Sequence, residues 1–199
     1  ALLRPRFGDF CYDSYELAQM EQLAAELVEA GADGIVTGVL TPEGALDADA
    51  MRPIYAAARK AAEKAGRPVA CTLHRAFDVC ADPFAALETA RELGLCTILT
   101  SGQAAGAPQG AALLRQLTER AGKNVEILAG AGVTAQNIPV LAAQTGVRAF
   151  HLSGKQVLQS RMTFRREGVP MGLPSFSEFE VWQTSEEKVR AARQALDTL

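Results

Sequence analysis

The chain has 199 residues and a mass of 21.1 kDa, the size of a single domain. Hydrophobic residues make up 48% and charged residues 22%, a globular balance that excludes a disordered chain. A net charge of −3 with no lysine or arginine run gives no footprint for nucleic acid, and no apolar run approaches the ~20 residues that span a bilayer.

In chain order, the first apolar run covers 1–6 and reads as a strand. Asp13 can cap the helix that follows, with Glu16 three positions later, and Leu17, Met20, Leu23, Leu27 and Val28 form its buried stripe before Gly31 stops it. A second strand is expected at 33–40, and a weaker helical segment starts near Asp49. The third strand is 69–75, and Asp82-Pro83 opens a clear helix that turns Phe84, Leu87 and Leu93 inward and ends at Gly94. Strands at 96–101, 125–129 and 147–153 alternate with helical segments over 107–122 and from Asn137. The stretch 155–183 reads as irregular, and a last helix closes the chain.

Strands that recur with a helix between each pair are βαβ repeats, which demand a parallel sheet with right-handed crossovers. An open doubly wound sheet and a (β/α)8 barrel both satisfy that rule. Polar or glycine residues stand at nearly every C-terminal strand end, whereas an open sheet concentrates its site at one switch point. The spread favours a single barrel domain over 1–199. Six of eight βα units are visible, so the barrel is read as two units short.

Strand alternation places Arg4 and Arg6 on one face, and turns Thr72 and His74 inward while Val69, Cys71 and Leu73 face the helices. It likewise turns His151 and Ser153 inward, against Phe150 and Leu152, and projects Glu126 into the lumen. Arginine forks and glycine turns suit carboxylate or phosphate oxygens. Arg4, Arg6, Ser101, Gly130, Gly132 and Ser153 are therefore expected to share one anion pocket, with Asp9, Arg75 and Gly102 at its rim. His74 and His151 are the chain's two histidines, and both are candidates for acid–base work, with Asp9 or Asp78 to orient one of them. Arg75 and Asp78 also fit a plain salt bridge that pins a loop. No nucleophile elbow, P-loop, zinc or calcium motif is present.

Several strings at the strand ends resemble one family. They are Arg4-Pro5-Arg6-Phe7-Gly8-Asp9-Phe10, Gly31 through Gly38, Leu73-His74-Arg75-Ala76-Phe77-Asp78, Ile98 through Gln103, Ala129 through Val133, and Val147 through Ser153. In this order they resemble the CutC family, labelled copper homeostasis proteins. The resemblance implies a TIM-barrel-like cytoplasmic protein, often oligomeric, that binds or traffics Cu(I). It also implies two further βα units ahead of Arg4, the first of which often carries cysteines.

Four scattered cysteines without a C-x-x-C pair read as reduced thiols, in keeping with a cytoplasmic setting, and no basic-then-apolar leader is seen at the N-terminus. For copper, Cys11 and Cys80 fall in loops on the mouth side of the barrel, Cys71 faces the helices, and Cys96 lies at the opposite end. Two thiolates at 11 and 80 would suit soft, near-linear Cu(I) coordination. Two readings stay open. One is a copper-binding homeostasis protein, and the other is a barrel enzyme acting on a small anionic or phosphorylated metabolite.

Overall fold

The computed structural model describes residues 1–166, 168–169 and 177–199. Its framework is a five-stranded parallel sheet of β1 (Gly34–Thr37), β2 (Ala70–Leu73), β3 (Thr97–Thr100), β4 (Glu126–Ala129) and β5 (Ala149–Phe150), in that spatial order. The strand expected at 1–6 is a single parallel bridge, Leu2 to Val36, flanked by the Leu3 N–H donating to the Val36 carbonyl at 2.9 Å. Strand order that equals chain order means every crossover runs the same way. That is barrel winding, since a doubly wound sheet reverses its order midway. Among the described residues no ladder joins β5 back to the N-terminal segment.

Four-residue strands suffice because one face is fully buried. Ile35 and Thr37, Cys71 and Leu73, Ile98 and Thr100, Ile127 and Ala129 are buried, and the register aligns Ile35 with Cys71 and Ile98 with Ile127. The alternating positions Val36, Thr72, Leu99 and Leu128 are half-buried on the opposite face.

The helices follow their caps. Helix α1 (Ser14–Glu29) carries the expected capping box, with Asp13 accepting from the Tyr15 and Glu16 N–H groups and Glu16 answering to the Asp13 N–H. Helix α2 (Ala48–Lys64) is capped by Asp47, whose carboxylate accepts from the Ala50 N–H at 2.9 Å, so Asp49 sits in the first turn and not at the start. Its Tyr55 hydroxyl reaches the carbonyls of Thr37 and Thr72, which fixes α2 across β1 and β2.

A 3-10 turn at Arg75–Val79 precedes α3 (Pro83–Glu92), capped by Asp82 as expected. Helix α4 (Ala111–Ala121) begins later than 107, because the Ala107 N–H is taken by the Ala131 carbonyl and the Gly110 N–H by that of Gly106. After α5 (Ile138–Thr145) and β5, the segment expected to be irregular begins and ends in strands. These are β6 (Lys155–Gln159) and β7 (Glu180–Thr184), an antiparallel ribbon that leads into α6 (Glu186–Asp197). The ribbon escaped the sequence reading because Val157, Leu158, Val181 and Trp182 stay exposed, so no buried face marks it.

Candidate functional site

The loop from Arg4 to Tyr12 folds onto itself through its two arginines. Arg6 is saturated: Nε meets Glu16 at 2.6 Å, Nη2 meets Asp9 at 2.9 Å and the Cys11 carbonyl at 2.9 Å, and the guanidinium lies over the Tyr12 ring. The hydrogen bond from Arg6, helped by the Cys11 N–H, holds the Asp9 carboxyl below its usual range. Arg4 is different. Its Nη2 donates to the Gly8 carbonyl at 2.9 Å and its guanidinium stacks 4.7 Å above the Phe10 ring, but among the described residues it meets no carboxylate. The strand face expected to hold both arginines is a loop here, and the two have different tasks.

His74 lies at the end of β2 and is 5% exposed. Its Nδ1 accepts from the Ala76 N–H at 3.2 Å and so caps the 3-10 turn, while Phe10 packs edge-on against the ring at 4.9 Å. Gly38 is required beside it, since a Cβ there would sit 2.9 Å from Nδ1. Burial, with the nearby Arg4 charge adding to it, pushes the imidazole down to about 4. With Nδ1 accepting, the ring proton belongs to Nε2, which is buried without a partner. At neutral pH His74 is thus a fixed neutral donor, a poor fit to the acid–base role considered from sequence. Neither Asp9 nor Asp78 hydrogen-bonds it.

Asp78 is instead a lock between two loops. Its carboxylate, 5% exposed, pairs with Arg75 Nε at 2.6 Å and accepts from the Thr100 hydroxyl and the N–H groups of Ser101 and Gln103. Arg75 also reaches Ser101 Oγ at 3.2 Å, and Ser101 donates to the Ala104 carbonyl at 2.7 Å. The carboxylate, the guanidinium and the hydroxyl are all spent on loop geometry, so the plain salt-bridge reading describes them. Gly102 belongs to the same construction, at φ 71°, where a Cβ would sit 2.3 Å from the Gly110 carbonyl oxygen.

His151 is exposed, its Cβ 3.7 Å from where a Cβ on Gly130 would stand, and that Cβ would strike Leu99 at 2.6 Å. Gly132, at φ 67° in open space, serves the turn. Ser153 lines a cleft of about 390 Å³ with Thr134, Gln136, Lys155 and Lys188. The six residues expected in one pocket are therefore divided. Arg4 and Arg6 belong to the first loop, Ser101 to the Asp78 lock, and Ser153 to this cleft. Glu126 is exposed at the start of β4, away from the mouth.

The copper candidates Cys11 and Cys80 are both free thiols in this arrangement. The Cys80 thiol is buried, accepts from Gln103 Nε2 at 3.4 Å, and is pushed up to about 11 by burial and by the charges of Asp82 and Asp78. A cysteine ligates Cu(I) as its thiolate. Cys11 is half-buried in the first loop, and no interaction joins it to Cys80. Cys96 instead donates its thiol to the Cys71 carbonyl oxygen at 3.2 Å. Among the described residues no three His, Cys, Asp or Glu side chains gather as metal ligands.

Sequence reasoning missed Tyr12 and Gln103. The Tyr12 hydroxyl is a second buried group without a partner, and the side chain is 8% exposed. It lies two residues past the Arg4–Phe10 string, just before the Asp13 cap. Gln103, at φ 54°, stitches the β3 loop to the carbonyls of Phe77 and Cys80, and nothing in its spacing announced that.

A parallel sheet wound in chain order, buried on one face by helices and carrying its polar groups at the C-terminal strand ends, defines a protein of the (β/α)-barrel class. A family model described as the CutC family matches residues 1–156. CutC family proteins from Chromobacterium violaceum and Parabacteroides distasonis are 43% and 44% identical over 197 and 192 residues. Those matches cover 99% and 96% of this chain and 76% and 75% of the relatives. The crystal structure of a proposed copper homeostasis protein CutC from Streptococcus agalactiae superposes with a TM-score of 0.68 at 30% identity, over 75% of this chain and 70% of that one. A rubisco-like protein from Burkholderia fungorum, 20% identical with a TM-score of 0.52 over 73% of this chain and 36% of its own, shares the fold alone. The chain belongs to the CutC family.

Proposed function

We propose that this chain takes part in copper homeostasis, as the description of its Streptococcus agalactiae relative suggests, by binding a small anionic molecule at the C-terminal strand ends. It does so without a Cu(I) centre built from Cys11 and Cys80. The observation that carries this reading is the state of Arg4. Arg6 and Arg75 are neutralised by neighbouring carboxylates, while Arg4 at the same end of the sheet meets none among the described residues. An arginine left without a counter-charge beside a buried neutral donor suits an external anion. Four free thiols, and the lack of any helix among the described residues long and apolar enough to cross a membrane, support a cytoplasmic setting.

Two measurements test the reading. Inorganic phosphate and acetate, titrated at constant ionic strength, are each expected to raise the melting temperature. Linkage gives about 2.7 kcal/mol at a hundredfold excess over the dissociation constant. Arg4→Met is expected to abolish the shift, and a wild-type chain indifferent to both anions removes the proposal. In anaerobic competition the chain is expected to lose Cu(I) to a weak chelator. Stoichiometric retention that vanishes in a Cys11→Ser, Cys80→Ser variant overturns the copper half of the proposal.

A further inference from the structure

The cleft beside Ser153, about 390 Å³ in volume, is walled by three parts of the chain. Thr134 and Gln136 come from the turn after β4, Ser153 and Lys155 from the link that opens β6, and Lys188 from the first turn of α6. Direct contacts hold two of these parts together. Lys188 Nζ donates to the Lys155 carbonyl at 2.6 Å, the Ser185 N–H to the Gly154 carbonyl at 2.9 Å, and the Thr184 hydroxyl to the Ser153 carbonyl at 3.4 Å. Leu152 and Ala191 add an apolar patch to the wall.

Charge sets this cleft apart. It carries two lysines and no carboxylate, whereas three other clefts each contain an acid: Glu126 beside Arg148, Glu21 and Glu29 between α1 and α2, and Asp9 beside Thr41. Among the described residues neither lysine forms an ion pair. The Lys155 ammonium lies over the Trp182 ring at 3.8 Å, and Lys188 spends one of its three N–H donors on a carbonyl. The Ser153 hydroxyl and the Gln136 carboxamide, both on exposed side chains, meet no protein partner among the described residues.

We propose that this cleft binds the phosphate monoester of a small hydroxylated molecule, with Lys188 on the phosphoryl oxygens and Thr134, Gln136 and Ser153 on the hydroxyl groups. The proposal goes beyond the anion reading above, which stands on Arg4, a residue outside this wall. The mixture of groups selects the ligand. Two lysines match the dianion that a monoester becomes near neutral pH, and an ammonium binds phosphate as a point charge. A hydroxyl and a carboxamide both donate and accept, as alcohol groups require. Inorganic phosphate would engage only the cationic corner, and a neutral polyol only the remainder.

The test uses the full chain carrying Arg4→Met, so that the Arg4 reading cannot supply the signal. Glycerol 3-phosphate is the probe, and glycerol and inorganic phosphate are the controls, followed by calorimetric titration. The probe is expected to bind at least about tenfold more tightly than either control. Lys188→Gln is expected to weaken it by about tenfold or more, Lys188→Arg to restore most of the affinity, and Ser153→Ala to cost about threefold. Reductive methylation read by mass spectrometry is expected to find Lys188 protected when the probe is bound. Full affinity in Lys188→Gln, or an unprotected Lys188, overturns the site. Inorganic phosphate binding as tightly as the ester overturns the ligand class. Binding by the wild type that vanishes with Arg4→Met assigns the ester to Arg4, which overturns this proposal and keeps the earlier one. Failure of both chains to bind the probe overturns this proposal alone, because the Arg4 reading is tested with phosphate and acetate.

Discussion

His74 shows how far alternation reaches at the scale of one residue. Period-two geometry put it on the inward face, and the structure buries it at the end of β2; its chemistry came from burial and from Arg4, which no spacing reveals. That environment has a measurable consequence. An unfolded imidazole takes up its proton near 6.5, whereas the folded one resists until about 4, so the unfolded state binds more protons between those values. Stability therefore falls as pH is lowered through that window, by about 3 kcal/mol for this group. Urea unfolding of wild type and His74→Asn between pH 7 and 4 is expected to show the steeper decline only in the wild type. Equal slopes would mean that the ring is not held neutral. The arginines make the same point. Two residues apart in one loop, they differ because Glu16 arrives from α1 to take Arg6 and, among the described residues, no carboxylate arrives for Arg4.

Among the elements, the junction of the β2 and β3 loops carries the most polar stabilisation near the mouth. Asp78 receives Arg75, Thr100, Ser101 and Gln103 at once, and its carboxylate is almost fully enclosed. Removing a buried, fully engaged carboxylate strands all of its donors, and Asp78→Ala is expected to cost about 3 kcal/mol in urea unfolding. Arg75→Ala is expected to cost much less, because its side chain is 45% exposed and solvent can replace the ion pair. Similar losses in the two variants would show that the ion pair, and not the network of N–H and O–H donors, holds the loops. The i,i+3 spacing of Arg75 and Asp78 made the pair readable from sequence. The partners from β3 were not readable, because they lie more than twenty positions away.

For the whole molecule, the decisive feature is a sheet whose two end strands are not paired to each other. The N-terminal segment offers one edge, and the two-residue β5 offers the other. Leu2 and Phe7, 65% and 88% exposed, lie at the first of these. Unpaired edges and exposed apolar side chains recruit further chain. The 199-residue chain is expected to associate with rising concentration in sedimentation velocity. A monomer across the whole range would mean that its edges are protected in another way.

The sequence by itself determined the periodic part of this protein. Apolar runs separated by capped helices dictate βαβ winding, because period two and period 3.6 are properties of the local chain. Asp13 with Glu16, and Asp82 with Pro83, set two helix starts within a few residues of themselves. Tertiary structure decided which polar groups at the strand ends keep free valences. Ser101, Arg75 and Asp78 are consumed by one another, Arg6 by Asp9 and Glu16, and Cys80 is held beneath Gln103. Arg4, Tyr12 and His74 keep theirs. A free valence is what remains after every neighbour in space has been counted, and neighbours in space come from elements that are distant in the chain.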